Sequence, residues 1–304
     1  MNPDLPENEY FSDPCEVPSL NSSTAKVLIA QSPAHAWQAH PRLGGKGAAV
    51  EEADDQDALD HGVALHSLLL GTGARIVRID ADSFRTKAAQ ELRDDARNSG
   101  RVPMIARKFD DIQCTAAALH ERFAEFDFDP AAGTKEASVF WGEQPQTGTL
   151  EVQCRGRIDH LDLANLRIWD LKSCRSAHPR AVQRHVYEYG YDIQRAAYVS
   201  ACDHIWPEVA GRWDFWFMFF ETSPPFACFP CRLDGTFREL GNRRWRRAVD
   251  IWSACTTTGV WPGYSRGGVA ELPAPEWALN RDMEEQVLAH AAGGGGSADW
   301  IEGQ

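Results

Sequence analysis

This 304-residue chain is poor in cysteine, short of positive charge and without any long apolar run. Eight cysteines are too dilute for a disulfide scaffold, and several sit in strand-like or helix-like patterns as small apolar residues would, so they are read as reduced. The lack of an apolar stretch near twenty residues excludes a membrane-spanning helix. The opening MNPDLPENEYFSDP is acidic and proline-punctuated and has neither the basic start nor the apolar stretch of a secretory signal, so the cytoplasm is the expected location. With 31 basic against 44 acidic residues, the net charge of -13 argues against a protein that coats nucleic acid by bulk charge, though a local basic channel stays open. What remains is ordinary: 43% hydrophobic and 25% charged, long enough for one elaborated domain or two smaller ones.

Helical signals come first along the chain. Leu20-Asn21-Ser22-Ser23-Thr24 is a hydroxyl-rich cap before AKVLIAQ, and Ser32-Pro33 starts a second short helix through Trp37. Residues 44–57 combine glycine with acids and no apolar period, which predicts a mobile loop. Helical patterning resumes near Ala58, then over a charged, solvent-facing helix at 83–99 and an amphipathic one at 103–126. Strands are expected only after the proline and glycines near 130. Glu136 to Trp141, Thr149 to Leu163 and Arg167 to Ser173 read as an antiparallel meander, the last two joined by a tight turn at Ala164-Asn165. A helix over Arg180 to Ile205, with a break expected near Gly190, precedes strands Asp214 to Thr222 and Ala227 to Leu233 and a long helix from Thr236 to Thr257. The proline-rich stretch 273–275 and the closing GGGGSADWIEGQ read as a flexible tail, whose GGGGS also fits a linker left from cloning. No internal repeat is visible. The expectation is one α/β or α+β domain, a mixed sheet flanked by helices with a helical N-terminal extension.

The chemistry concentrates on two neighbouring strands. By the two-residue period, Leu150, Val152, Cys154, Gly156 and Ile158 share one face, while Arg155, Arg157 and Asp159 share the other. In the next strand Asp170 and Lys172 point away from Trp169 and Leu171. Two such strands can present two carboxylates and an amine on one surface, a set that suits Mg²⁺ and an attacking water that the lysine orients or helps deprotonate. The plain alternative is a surface Asp/Lys pair, and the preceding G-R-I-D is what weighs against it. Gln194 and Tyr198, four apart, share a helix face with Arg195 beside them; a tyrosine packed in the core is the competing reading. Gly62 precedes His66 by one turn, a spacing that would let another backbone approach, and His66 ligates a metal only if the fold carries it to Asp159 and Asp170. Glu136 has the same conditional status.

In order, Gly62-Val-Ala-Leu-His66, Glu136-Ala-Ser-Val-Phe-Trp141, Gly156-Arg-Ile-Asp159, Asp170-Leu-Lys172 and Gln194-Arg-Ala-Ala-Tyr198 resemble the PD-(D/E)XK nuclease superfamily. More narrowly the set is similar to the nuclease domain of the RecE (exodeoxyribonuclease VIII) group and its prophage relatives. Asn21-Ser-Ser-Thr-Ala-Lys-Val-Leu with Ser32-Pro-Ala-His35 is similar to that group's entry helices, so the resemblance runs from about residue 20 to 260. It implies a restriction-endonuclease-like core at 20–265, with an N-terminal arm at 1–19 and a tail at 266–304. It also implies His66, Asp159 and Asp170 as ligands of Mg²⁺, for which Mn²⁺ can substitute. Lys172 would be the catalytic lysine, with Glu136, Gln194 and Tyr198 as further active-site residues. Ile158 stands where the superfamily's first motif has proline.

The implied activity is digestion of linear double-stranded DNA from the 5′ end, leaving 3′ single strands for a RecT-like annealing protein in recombination, by a ring-shaped trimer or tetramer. The alternatives are an endonuclease of restriction or repair type and a catalytically inactive DNA-binding module. Arg155, Arg157, Arg175 and Arg195 are the candidate DNA-binding residues, supported by Arg180, Arg184 and the basic run 243–247, where Trp245 would turn inward if the helix is merely solvated. Cys228-Phe-Pro-Cys231 is a lone C-x-x-C, and without a second pair it does not predict an iron–sulfur cluster or a zinc site.

Overall fold

The computed structural model describes all residues except 3–4, 45–52, 127, 131, 149, 266, 270 and 294–304. Met1–Tyr264 forms one compact unit, and Ser265–Gln304 is a second. In chain order the first contains α1 (Glu7–Phe11), α2 (Ser22–Ala30), α3 (Pro33–Ala39), α4 (Ala53–Leu70), β1 (Ile76–Ile79), α5 (Lys87–Asn98), β2 (Val102–Ile105) and α6 (Ala106–Phe123). There follow β3 (Thr134–Glu143), β4 (Val152–Asp162), β5 (Arg167–Cys174), α7 (Pro179–Glu188), α8 (Tyr191–Ile205), β6 (Asp214–Glu221), β7 (Cys228–Cys231) and α9 (Gly235–Thr258). The second unit contains α10 (Glu276–Gly293), so the expected tail is partly helical; its GGGGS segment lies outside the described residues except for its first glycine, Gly293. No described helix is long and apolar enough to cross a membrane.

Five strands form one mixed sheet in the order β3-β4-β5-β6-β7. All neighbours are antiparallel except β5 and β6, which run parallel because α7 and α8 cross between them. Two apolar clusters cover its faces. Ile158, Ile168, Phe217 and Phe219 pack with residues of α2, α8 and α9 on one side. Trp169, Leu171, Met218 and Phe220 pack with α4 and α6 on the other. The sheet is thus a middle layer between helices.

The local signals explain the helix ends. Asn21 caps α2 by accepting from the Thr24 N–H at 2.7 Å, and Asp234 caps α9 by accepting from Phe237 N–H at 2.8 Å. The long helix breaks at Gly190, whose φ of 63° is left-handed. Other expectations change. The predicted loop at 44–57 is already helical from Ala53, while 45–52 lie outside the described residues. Two strands precede residue 130: β1 and β2 pair in parallel over four residues each. The pattern hid them because they are short and β2 contains Pro103, so 103–126 divides into β2 and α6.

Candidate active site

The strands β4 and β5 pair only through His160↔Trp169, Leu161↔Ile168 and Asp162↔Arg167, the steps nearest their turn. One step further, Asp159 stands opposite Asp170 and the strands part. The Leu171 N–H, released from the ladder, donates to Asp159 Oδ2 at 2.8 Å. On the other side of β4, the pairs Lys135↔His160 and Ala137↔Ile158 place Glu136 opposite Asp159. Three carboxylates therefore lie in one row across three strands, an arrangement that is repulsive unless cations sit among them. Glu136 adopts a left-handed φ of 51°, a conformation costing roughly 1–3 kcal/mol for a non-glycine residue and concentrated at functional sites.

His66 supplies one cation from α4. Its Nδ1 lies 3.1 Å from Glu136 Oε1 and its Nε2 3.1 Å from Asp159 Oδ2. Burial pulls the imidazole down, but the Asp159 and Glu136 carboxylates outweigh it and raise it to about 10. Burial pushes the Asp159 carboxyl up, and His66, Lys172 and the Leu171 N–H outweigh that to hold it below the usual range. Arg157 Nε donates to Glu136 Oε2 at 2.5 Å and so orients that carboxylate. One ligand atom each from His66, Glu136 and Asp159 falls within a common 4.8 Å. An imidazole and two carboxylates at this spacing fit a hard divalent cation, for which adjacent ligands of an octahedron are about 3 Å apart. Asp170, expected as a ligand, lies outside this group of three, and Glu136 stands in its place.

Asp170 is fully buried and serves a different pair of partners. Lys172 Nζ makes close contact with Asp170 Oδ1, and Gln194 Nε2 donates to Asp170 Oδ2 at 2.5 Å. Burial raises the Asp170 carboxyl; Lys172 opposes this and Asp159 adds to it, with a result of about 6. Burial would lower the Lys172 amine, but Asp170 and Asp159 outweigh it, so the lysine stays a cation at neutral pH. It is suited to orienting water or stabilising anionic charge and not to accepting a proton.

A second lysine was not expected. Lys26 Nζ donates to Gln194 Oε1 at 3.2 Å and completes a chain Lys26-Gln194-Asp170-Lys172. Burial, and then Lys172, lower its amine to about 7 against the pull of Asp170 and Asp192. The available signal was a lone lysine inside the otherwise apolar AKVLIA helix.

Above His66 and Asp159 is a hollow of about 400 Å³, also lined by Ser22, Glu136, Arg157 and Tyr198. Tyr198 is buried against Gly156, where an added Cβ would stand 2.9 Å from its ring. At Gly62 an added Cβ would meet nothing within 4 Å, so its expected close backbone contact is absent and it borders the open hollow instead. The hollow shares Glu7, Phe11, Gly73, Glu136 and Arg157 with a larger cleft of about 1120 Å³, whose walls carry Arg75, Arg97 and Arg101.

Those arginines were not among the expected DNA contacts, and two that were lie elsewhere. Arg155 is 1% exposed, bonds Ser19 Oγ at 2.5 Å and pairs with Asp13 at 3.0 Å. The alternation placed it outward, but the N-terminal arm and Leu20 cover that part of β4: Leu20 N–H donates to Gln153 O, and Arg155 N–H to Leu20 O. Arg195 lines a separate hollow with Trp213, Asp214, Arg232 and Arg238. Arg157 borders the site, and Arg175 is exposed just beyond Ser173, which lines it. In the basic run, Arg244 pairs with Asp192 at 2.8 Å while Trp245 turns inward. Cys228 and Cys231 pack against opposite apolar clusters, so their thiols do not converge.

Solved structures resemble this fold. A candidate exonuclease from Eubacterium rectale has a TM-score of 0.56 at 14% identity, covering 91% of this chain and 98% of that one. A phage-related exonuclease from Haemophilus somnus 129PT gives a TM-score of only 0.32 at 11% identity, over 82% of this chain and 99% of that one. No curated protein matches. The five-stranded mixed sheet between helices is consistent with the PD-(D/E)XK superfamily fold, and a family model matches residues 22–271: the chain belongs to the family described as a PDDEXK-like domain of unknown function, DUF3799.

Proposed function

We propose that this protein is a divalent-metal-dependent nuclease that hydrolyses DNA from the ends of linear duplexes. The observation that carries the reading is the fork itself, where His66, Glu136 and Asp159 converge beside the Asp170-Lys172 pair. A cation held by His66, Glu136 and Asp159 would supply an acidified water and Lewis-acid stabilisation of phosphate charge. The protein's own groups do the remainder. Lys172, fixed by Asp170, presents a permanent positive charge toward the phosphodiester and the attacking water. Gln194 holds Asp170 in place, and Lys26 fixes the glutamine amide so that its NH₂ faces the carboxylate. Arg157 orients Glu136. The adjoining cleft, with Arg75, Arg97 and Arg101, is the proposed seat for the phosphate backbone.

Attack at ends draws on the RecE-like sequence pattern and on the resemblance to the Eubacterium rectale structure. From the same pattern we propose Mg²⁺ as the metal, 5′ to 3′ polarity, a ring-shaped homo-oligomer and hand-over of 3′ single strands to an annealing protein. The test is digestion of an end-labelled linear duplex beside a closed circular plasmid, with Mg²⁺ present. Loss of the linear substrate with an intact circle is the expected result. Cutting of the closed circle would make the enzyme an endonuclease.

A further inference from the structure

A chain of aromatic rings leads from the catalytic lysine to the surface. Tyr191, in the first turn of α8, has its ring centroid 4.8 Å from Lys172 Nζ and 5.0 Å from Lys26 Nζ. The ring of Tyr189 lies 5.8 Å from that of Tyr191 and 5.4 Å from that of His185 in α7, tilted to both. Tyr191 is half-buried, whereas Tyr189 is 55% exposed and its neighbour Tyr187 is 56% exposed. Packing does not explain these two rings, because Val182 and Val186 are the residues that α7 buries.

The corner displaying Tyr189 is fixed. The Tyr189 N–H donates to His185 O at 2.9 Å and the Gly190 N–H to Tyr187 O at 3.2 Å. Gly190 is required there twice over, since its φ is 63° and an added Cβ would stand 2.9 Å from Lys26 Cγ. Positive charge flanks the corner. Arg244, anchored on Asp192, stacks 5.1 Å from the Tyr187 ring, and Lys172 lies against Tyr191. The nearby acid Glu188 is paired with Arg184. An exposed aromatic ring with a fixed backbone and flanking cations, next to a phosphate-cutting site, matches what single-stranded nucleic acid uses: π-faces for bases and cations for phosphates.

We propose that Tyr189 is a stacking platform for an unpaired base of the DNA strand being cut, within roughly two nucleotides of the scissile phosphate. The proposal rests on the nuclease reading and adds a substrate contact to it. The platform holds the strand end so that the adjoining phosphate meets Lys172, and it favours substrates whose terminal bases are already unpaired.

The test uses the Lys172→Ala protein, expected to bind without cutting, and a single-stranded DNA oligonucleotide carrying 2-aminopurine at successive positions. Stacking should quench the fluorophore at one position. Tyr189→Ala in that background should abolish the quench and weaken binding about tenfold, while Tyr189→Phe, which keeps the π-face, should preserve both. An abasic site at the quenched position should remove the difference between Ala and Phe. Equal affinity and quench in Tyr189→Ala, or a Phe variant as impaired as Ala, overturns the platform and leaves the nuclease reading standing. A changed oligomeric state in Tyr189→Ala assigns the ring to a subunit contact and also overturns it. Failure of the Lys172→Ala protein to bind any DNA overturns both readings together.

Discussion

Metal binding at the fork should release a proton, and His66 is its source. The imidazole is held at about 10 because Asp159 and Glu136 outweigh its burial, so at pH 7 only about one ring in a thousand is neutral. A histidine ligand must be neutral, and the incoming cation therefore competes with that proton. Apparent affinity should rise about tenfold per pH unit from pH 7 upward and level off near the imidazole's own titration, a total of up to about a thousandfold. Calorimetric titration at half-unit steps from pH 7 to 8, in two buffers of different ionisation heat, counts the protons directly. One proton per bound cation is expected for the wild type and none for His66→Asn. A pH-independent affinity, or the same proton count in His66→Asn, would refute the reasoning. The metal-free protein gives a second readout. A pKa raised from 6.5 to about 10 contributes stability that is complete below pH 6.5 and lost as pH rises through 10, so its melting temperature should fall over that window.

Lys172→Ala should reduce hydrolysis at least about a hundredfold while DNA binding persists, and should lower the melting temperature because the buried Asp170 loses its lysine; thermal melting and nucleotide release measured together check this. Gln194→Leu removes the 2.5 Å donor to a carboxylate already raised to about 6, so the acid limb of the pH–rate profile should move to higher pH; an unmoved limb contradicts the positioning role. Arg75→Glu with Arg101→Glu should weaken DNA binding and reduce its salt dependence by about one unit of slope per site, read from titrations at several ionic strengths. Arg155→Ala should instead destabilise the fold by roughly 1.5–3 kcal/mol in urea unfolding, because it removes the nearest cation from the buried Asp13 carboxylate, which keeps His40 at 3.3 Å and Arg42 at 3.9 Å.

The residue types of the site were legible, and their arrangement was not. The G-R-I-D and D-L-K segments each fall on a strand as their alternation requires, and Gln194 and Tyr198 share a helix. Alternation cannot reveal where a ladder ends, however. The fork after His160↔Trp169 and the left-handed Glu136 decide which carboxylates face His66, and both depend on tertiary context. The same period misplaced Arg155, since it says which side of a strand a residue takes but not whether an arm covers that side. Lys26 read as one residue of a helix, and only the packing of α2 against α8 brings it to Gln194. The arginine cleft is built from the end of α5 and the residues just before β1 and β2, where four-residue strands leave almost no periodic signal.

The central claim is that the row containing Asp159 is a metal-dependent phosphodiester hydrolase. Its most direct test is release of acid-soluble nucleotide from a linear duplex by the wild type and by Asp159→Asn, each with Mg²⁺ and with a chelator. Release by the wild type in Mg²⁺ alone is predicted. Undiminished release by Asp159→Asn in Mg²⁺, or by the wild type in chelator, would contradict the account.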